Sequence, residues 1–145
     1  MGRFWWLAIC LAGAGSWGAA DSQPNPDGAR VNYMLHCQGC HLPAGQGVPG
    51  SVPRMNGYVG NFLRVSGGRE FLVQVPGSAN AALDDAALAE LLNWMLLTMS
   101  PNELPRPWQR YTAQEVGALR AEPLREVETV RAELVMRIAQ SAGTP

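Results

Sequence analysis

The residues of this 145-residue chain best equipped for chemistry are two cysteines spaced three apart with a histidine directly after the second. They form the run Cys37-Gln38-Gly39-Cys40-His41. The pattern C-x-x-C-H is the attachment signature for a c-type haem. Each thiol can form a thioether to one of the porphyrin's two vinyl groups. The imidazole that follows is then tethered under the iron, where it binds as the proximal ligand. Three other readings compete. A redox or disulfide C-x-x-C usually accompanies a βαβ pattern, which this chain lacks. Half of a zinc site would lack partners, because His36 is the remaining histidine and Cys10 the remaining cysteine. The third is chance. A ligand role for His36 would require the short link to Cys37 to fold back on the ring, so it reads as a surface residue or a hydrogen-bond donor.

The address of the chain agrees with the motif. Arg3 supplies a positive start, Phe4 to Ala14 a short apolar run, and Gly18-Ala19-Ala20 the small residues a signal peptidase needs. Residues 1–20 therefore read as a secretory signal, cleaved after about Ala20. The run is too short for a comfortable membrane span, with an uncleaved anchor as the competing reading. Cys10 follows Ile9, where a lipoprotein site would have a small residue, and is discounted. What remains is long enough for one small domain with a single core. Both cysteines left are in the motif, so no structural disulfide is expected, and a covalently held haem would do the stapling that small scaffolds need.

All 11 basic residues are arginine, against 12 acidic ones. With Arg3 removed, 10 positive charges face 12 negative, a net of −2. That balance excludes a basic nucleic-acid binder.

The elements around the motif read as helices and loops. Asp21 to Asp27 is a polar, proline-bearing lead-in. Gly28 to Cys40 turns helical, with Val31, Met34 and Leu35 on one face, Tyr33 beside them, and His41 at its end. Leu42 to Gly60 is a glycine- and proline-rich loop of the sort that lets backbone approach a flat ring. Periodicity does not decide between helix and extended chain for Arg69 to Val75. Arg69 reads as a solvated turn residue, with a haem propionate as the alternative partner. Pro76 to Asn80 is a second loop. Leu83 to Thr98 is the clearest helix, with Asp84 and Asp85 in its first turn and Leu83, Leu88, Leu91, Leu92, Met95 and Leu96 as its buried stripe. Pro101 to Pro107 reads as a linker. Thr112-Ala113-Gln114-Glu115 is a capping box that starts a helix to about Ala121. Pro123 opens another, with Leu124, Val127, Val130, Leu134 and Ile138 at helical steps. These last two helices read either as a hairpin packed on the rest or as a docking element for a partner.

On the motif and the loop after it, the chain resembles the class I (monohaem) c-type cytochromes. In that family C-x-x-C-H is followed by Gly-Pro-x-Leu-x-Gly; here the corresponding segment is Val52-Pro53-Arg54-Met55-Asn56-Gly57, with valine in place of the first glycine. The resemblance implies an all-α, cytochrome c-like haem domain over residues 21–100; the proline-broken linker and C-terminal helices over 101–145 form a tail that the family core does not need. It implies one covalently attached haem c, with Cys37 and Cys40 as attachment points and His41 as iron ligand. The carbonyl of Pro53 would accept from the histidine's other nitrogen and fix its tautomer. Met55 would replace the leucine that packs on the haem face. Trp94 would take the place of the aromatic at the helix crossing and meet Tyr33.

Many members of the family bind the far side of the iron with a methionine from the loop before the last haem helix. Here that loop is Val75 to Ala82, and it has none. Met55, Met95 and Met99, Asn80, water and an open position are the candidates. The function implied is single-electron transfer in the periplasm, with a dehydrogenase as donor and another cytochrome or an oxidase as acceptor. The chain would be an electron carrier rather than an enzyme. Two alternatives remain: a haem-based small-ligand binder or sensor, and a non-catalytic cytochrome subunit of a dehydrogenase complex.

Overall fold

The computed structural model describes residues 25–142. The expected signal peptide and its cleavage point lie outside the described residues. Among those described, the chain is all helix and loop, with one isolated bridge between Val48 and Val52 and no strand. No helix among them is long and apolar enough to cross a membrane.

The first helix, α1, spans Pro26–His36. It begins inside the segment expected to be a lead-in, for a local reason. The Asn25 side chain accepts from the Gly28 N–H at 2.9 Å, satisfying a donor that the helix leaves open, and Pro26 supplies a first residue already set for helical φ. The Asn25 N–H also donates to Glu90 at 2.6 Å, which ties the start of α1 to the later helix that carries Glu90. The apolar face marked by the helical pattern is not the buried one. Val31, Met34 and Leu35 are 51%, 48% and 72% exposed, and α1 buries Ala29 and Tyr33 instead. These two and Cys37 stand at steps of four along the chain, and Tyr33 and Cys37 pack into the core.

The helix breaks at Cys37, and one short turn, α2 (Gln38–His41), carries the rest of the motif. After a long loop comes a 3₁₀ segment, Val59–Arg64, then α3 (Gly68–Gln74) and α4 (Pro76–Ala79). The stretch that periodicity left undecided is thus helical: Phe71, Leu72 and Val73 are buried, and Gly68 lies so close to the Phe62 carbonyl that no side chain would fit. The longest apolar helix, α5 (Asp85–Met99), is capped by Asp84, which accepts from the Ala87 N–H at 2.7 Å. It crosses α1 where expected, with the Trp94 and Tyr33 rings 5.6 Å apart and tilted by 44°.

Two helices follow, α6 (Ala113–Arg120) and α7 (Val127–Ala142). Leu104, Tyr111, Val116, Leu134 and Ile138 enter the same core cluster as Tyr33, Phe62 and Leu91. The connecting segment is strapped down. The Asn93 amide makes both hydrogen bonds to the Tyr111 backbone, at 3.0 and 2.8 Å. Arg64 donates to the carbonyls of Glu103 and Asn102 at 2.6 and 3.3 Å. The Thr112 hydroxyl accepts from the Glu115 N–H at 3.2 Å, but the Glu115 carboxylate does not close the capping box. It turns to Arg69, whose Nη2 donates to it at 2.8 Å. Arg69 also donates to the carbonyls of Gln109 and Arg110 and lies 4.1 Å over the Tyr111 ring. It is therefore neither a solvated turn residue nor part of the cavity described below; it anchors the tail. Finally, α7 starts at Val127 rather than at Pro123, because the Leu124 N–H donates to the Gln74 carbonyl at 2.9 Å and stitches the turn to the end of α3.

Candidate functional site

Cys37, Cys40 and His41 open on one cavity of about 370 Å³, within the size range of small-molecule sites. Its walls are mostly apolar, with Phe62, Phe71, Leu72, Leu91 and Leu92 prominent. Both cysteines carry free thiols; Cys37 is half-buried and Cys40 exposed. Burial, and after it the neighbouring Cys40, pushes the Cys37 thiol above its ordinary pKa.

His41 Nδ1 lies 3.1 Å from the Pro53 carbonyl oxygen. A carbonyl only accepts, so this contact assigns the proton to Nδ1 and leaves Nε2 with its lone pair. Burial lowers the imidazole's pKa, with the Pro53 bond opposing in part. The neutral ring that results is the form able to bind a metal.

The loop reaches this geometry through its glycines. Gly45 and Gly47 have φ of +72° and +69°, which favours glycine. The Gly47 N–H donates to the His41 carbonyl at 3.2 Å. A Cβ on Gly47 would collide with the Val52 carbonyl and come within 2.7 Å of the Pro53 carbonyl carbon. The Val48–Val52 bridge, with both hydrogen bonds at 2.8 Å, then delivers Pro53 to the histidine. Tyr33 completes the support: its hydroxyl donates to the Leu42 carbonyl at 2.5 Å, directly after His41.

The five residues singled out from the sequence, Cys37, Cys40, His41, Pro53 and Met55, all line this cavity. So do His36 and Met95. Met99 and Asn80 are not among the lining residues; the Met99 sulfur packs toward Gly45. Two groups of residues escaped the sequence reading. Val127 and Arg131, from α7, also line the cavity, so the tail supplies part of its wall. Val127 was visible as part of an apolar stripe, but a stripe does not say which surface it covers. The other is Arg120, whose guanidinium gathers the carbonyls of Ala79, Ala81 and Leu83 and the carboxylate of Asp85. Nothing in the sequence marks those carbonyls as acceptors.

An apolar slot with two thiols and a neutral imidazole at its edge suits a flat, apolar macrocycle with a metal at its centre. No family model matches the chain. Two forms of cytochrome c-552 from Thermus thermophilus are each 33% identical to it over 116 residues. The match takes in 68% of this chain and 87% and 77% of the two relatives. The chain belongs to the class I c-type cytochromes. Its cofactor is covalently attached haem c, and it is a monohaem electron carrier rather than an enzyme.

Proposed function

We propose that Cys37 and Cys40 hold the haem through thioethers, that His41 is the proximal ligand of its iron, and that the chain passes single electrons in the periplasm between a dehydrogenase and a downstream cytochrome or oxidase. The observation that carries the assignment is the 3.1 Å contact from His41 Nδ1 to the Pro53 carbonyl beside two free thiols on one apolar cavity. The haem supplies the redox couple when bound. The protein's part is to bind, orient and shield. Pro53 fixes the imidazole tautomer, and through it the basicity of the ligating nitrogen. Met55 packs against the ring, and the walls from α3 and α5 keep water away. We assign residues 21–100 to the haem domain and residues 101–145 to a tail, whose described part, residues 101–142, packs onto it. The contribution of Val127 and Arg131 to the cavity wall supports counting the tail as part of the site.

For electrons to pass, a haem edge must come close to a partner. Cys40 is exposed, and so is the apolar row of α1 that precedes the motif, Val31, Met34 and Leu35. A small apolar contact of this kind suits brief docking between redox proteins. Export follows from the signal-like first 20 residues. The test is expression of the full chain in a host that matures c-type haem. Expected are a pigment that stays with the polypeptide on a denaturing gel, an intact mass of the chain from about Asp21 plus one haem, and reversible spectral cycling with oxidant and reductant. Loss of the pigment on denaturation, or Cys37→Ser and Cys40→Ser variants that keep it as firmly as the parent, would refute the attachment.

A further inference from the structure

We propose that no side chain of this protein binds the haem iron on the face opposite His41, and that this face is a binding site for a small neutral ligand of the carbon monoxide or nitric oxide type. The inference rests on the placement of the haem by Cys37, Cys40 and His41 given above.

Three further residues lining the cavity carry a strong iron ligand: His36, Met55 and Met95. None of them comes from the segment Val75 to Ala81. Met55 lies two residues after Pro53, the partner of His41, and its N–H donates to the Gly45 carbonyl at 2.6 Å, which holds it in the same loop. Met95 is buried in the core cluster on α5, the helix whose Trp94 packs on Tyr33. His36 directly precedes Cys37 in the last turn of α1, so thioether attachment at Cys37 holds it at the ring's edge.

The remaining walls come from Val59 and Phe62, from Phe71 and Leu72, from Val127 and Arg131 of α7, and from the segment Val75 to Ala81. That segment contributes Val75, Pro76, Gly77, Ser78 and Ala81 to the lining: no thioether, imidazole, amine or phenol. Nor is it free to bring one in. Arg120 donates to the Ala79 carbonyl at 3.1 and 3.0 Å and to the Ala81 and Leu83 carbonyls at 2.7 Å each. The Asn80 N–H donates to the Pro76 carbonyl at 3.1 Å, closing α4. The segment Val75 to Ala81 is thus short, free of strong iron ligands and tied in place.

The segment Val75 to Ala81 offers an anion no charged partner, and the cation in these remaining walls is Arg131 of α7. A neutral diatomic ligand needs no such partner. Its binding forms one dative bond from the ligand's lone pair to ferrous iron and displaces at most a water; no electron or proton moves.

The test uses the matured full-length protein, reduced and titrated with carbon monoxide while the Soret band is followed. Expected are a shifted Soret band that saturates, and no methionine-to-iron charge-transfer band in the near infrared of the oxidised protein. Neither Met55→Leu nor Met95→Leu should raise the affinity for carbon monoxide by as much as tenfold. A parent spectrum unmoved by carbon monoxide overturns the proposal, as does a tenfold or greater gain in affinity in either methionine variant, which would mean that a protein ligand had been removed. A protein that carries no covalent pigment overturns instead the haem-attachment reading on which this one stands.

Discussion

Arg120 gives the sharpest test of how the tail supports the haem site. Its side chain is mostly buried and reaches three carbonyls of the segment before α5, together with the Asp85 carboxylate at 3.2 Å. A hydrogen bond from a charged group contributes about 1.5–3 kcal/mol net. The contributions do not add, because truncation lets water reach some of the carbonyls and because Asp85 is about half exposed, so its pairing counts for little. Arg120→Ala should then cost about 3 kcal/mol, which for a domain of this size lowers the unfolding midpoint by roughly 10 °C. Arg120→Lys keeps the charge but loses the planar fork, and one ammonium cannot serve acceptors spread over Ala79 to Asp85. It should recover less than half of the loss. Thermal unfolding of the haem-loaded proteins, followed by far-ultraviolet circular dichroism, measures both. Hydrogen exchange at the amides of Asn80 to Leu83 should quicken in the alanine variant while α1 is unaffected. A midpoint within about 3 °C of the parent for Arg120→Ala, or full recovery with lysine, would show that the guanidinium does not hold this segment.

Three further expectations follow from the same contacts. Gly47→Ala places a Cβ against the Val52 and Pro53 backbone at a φ of +69°, so it should cost at least about 2 kcal/mol and, by moving Pro53 from His41, shift the reduction potential; an unchanged potential with unchanged stability would argue against the Gly47–Pro53–His41 linkage. Arg69→Met removes the Glu115 pair and two carbonyl contacts at about a quarter exposure, so it should cost about 2 kcal/mol and open residues 101–112 to limited proteolysis before any other segment; first cleavage elsewhere speaks against it. The Tyr111 hydroxyl is buried, which raises its pKa well above the ordinary phenol value. A raised folded-state pKa gives stability that is whole below the unfolded value of about 10 and is lost as pH climbs past it. Tyr111→Phe should therefore flatten the loss of stability above about pH 10, measured by denaturant unfolding from pH 8 to 11; part of the slope stays, since burial also raises Tyr33.

How much of this was legible in the sequence depends on the range of the interaction. The haem motif is local: five consecutive residues state the chemistry, and the loop spacing that brings Pro53 to His41 is nearly local. The Tyr33–Trp94 contact was accessible because both positions are marked within a recognisable pattern. Secondary structure went astray where tertiary contacts decide it. The helical pattern groups Val31, Met34 and Leu35 on one face without saying which way that face turns; it is exposed, and Ala29 and Tyr33 are buried instead, a small alanine adding little to a hydrophobic pattern. Likewise, Pro123 is a good first residue for a helix, yet a single hydrogen bond from Leu124 to Gln74 holds the turn open.

The long-range straps were hidden for a deeper reason. Arg64, Arg69, Arg120 and Arg137 all donate to backbone carbonyls between 37 and 71 residues away. Every residue offers a carbonyl, so no sequence pattern marks which ones an arginine will collect. A general signal was nonetheless present: all 11 basic residues are arginine and none is lysine. A lysine would serve equally well for solubility, whereas a rigid five-donor fork suits clusters of acceptors such as Ala79, Ala81 and Leu83. The segment Val75 to Ala81 lines the cavity but is itself little buried, so it must be held from behind, and Arg120 does that from α6 by gathering the Ala79 and Ala81 carbonyls.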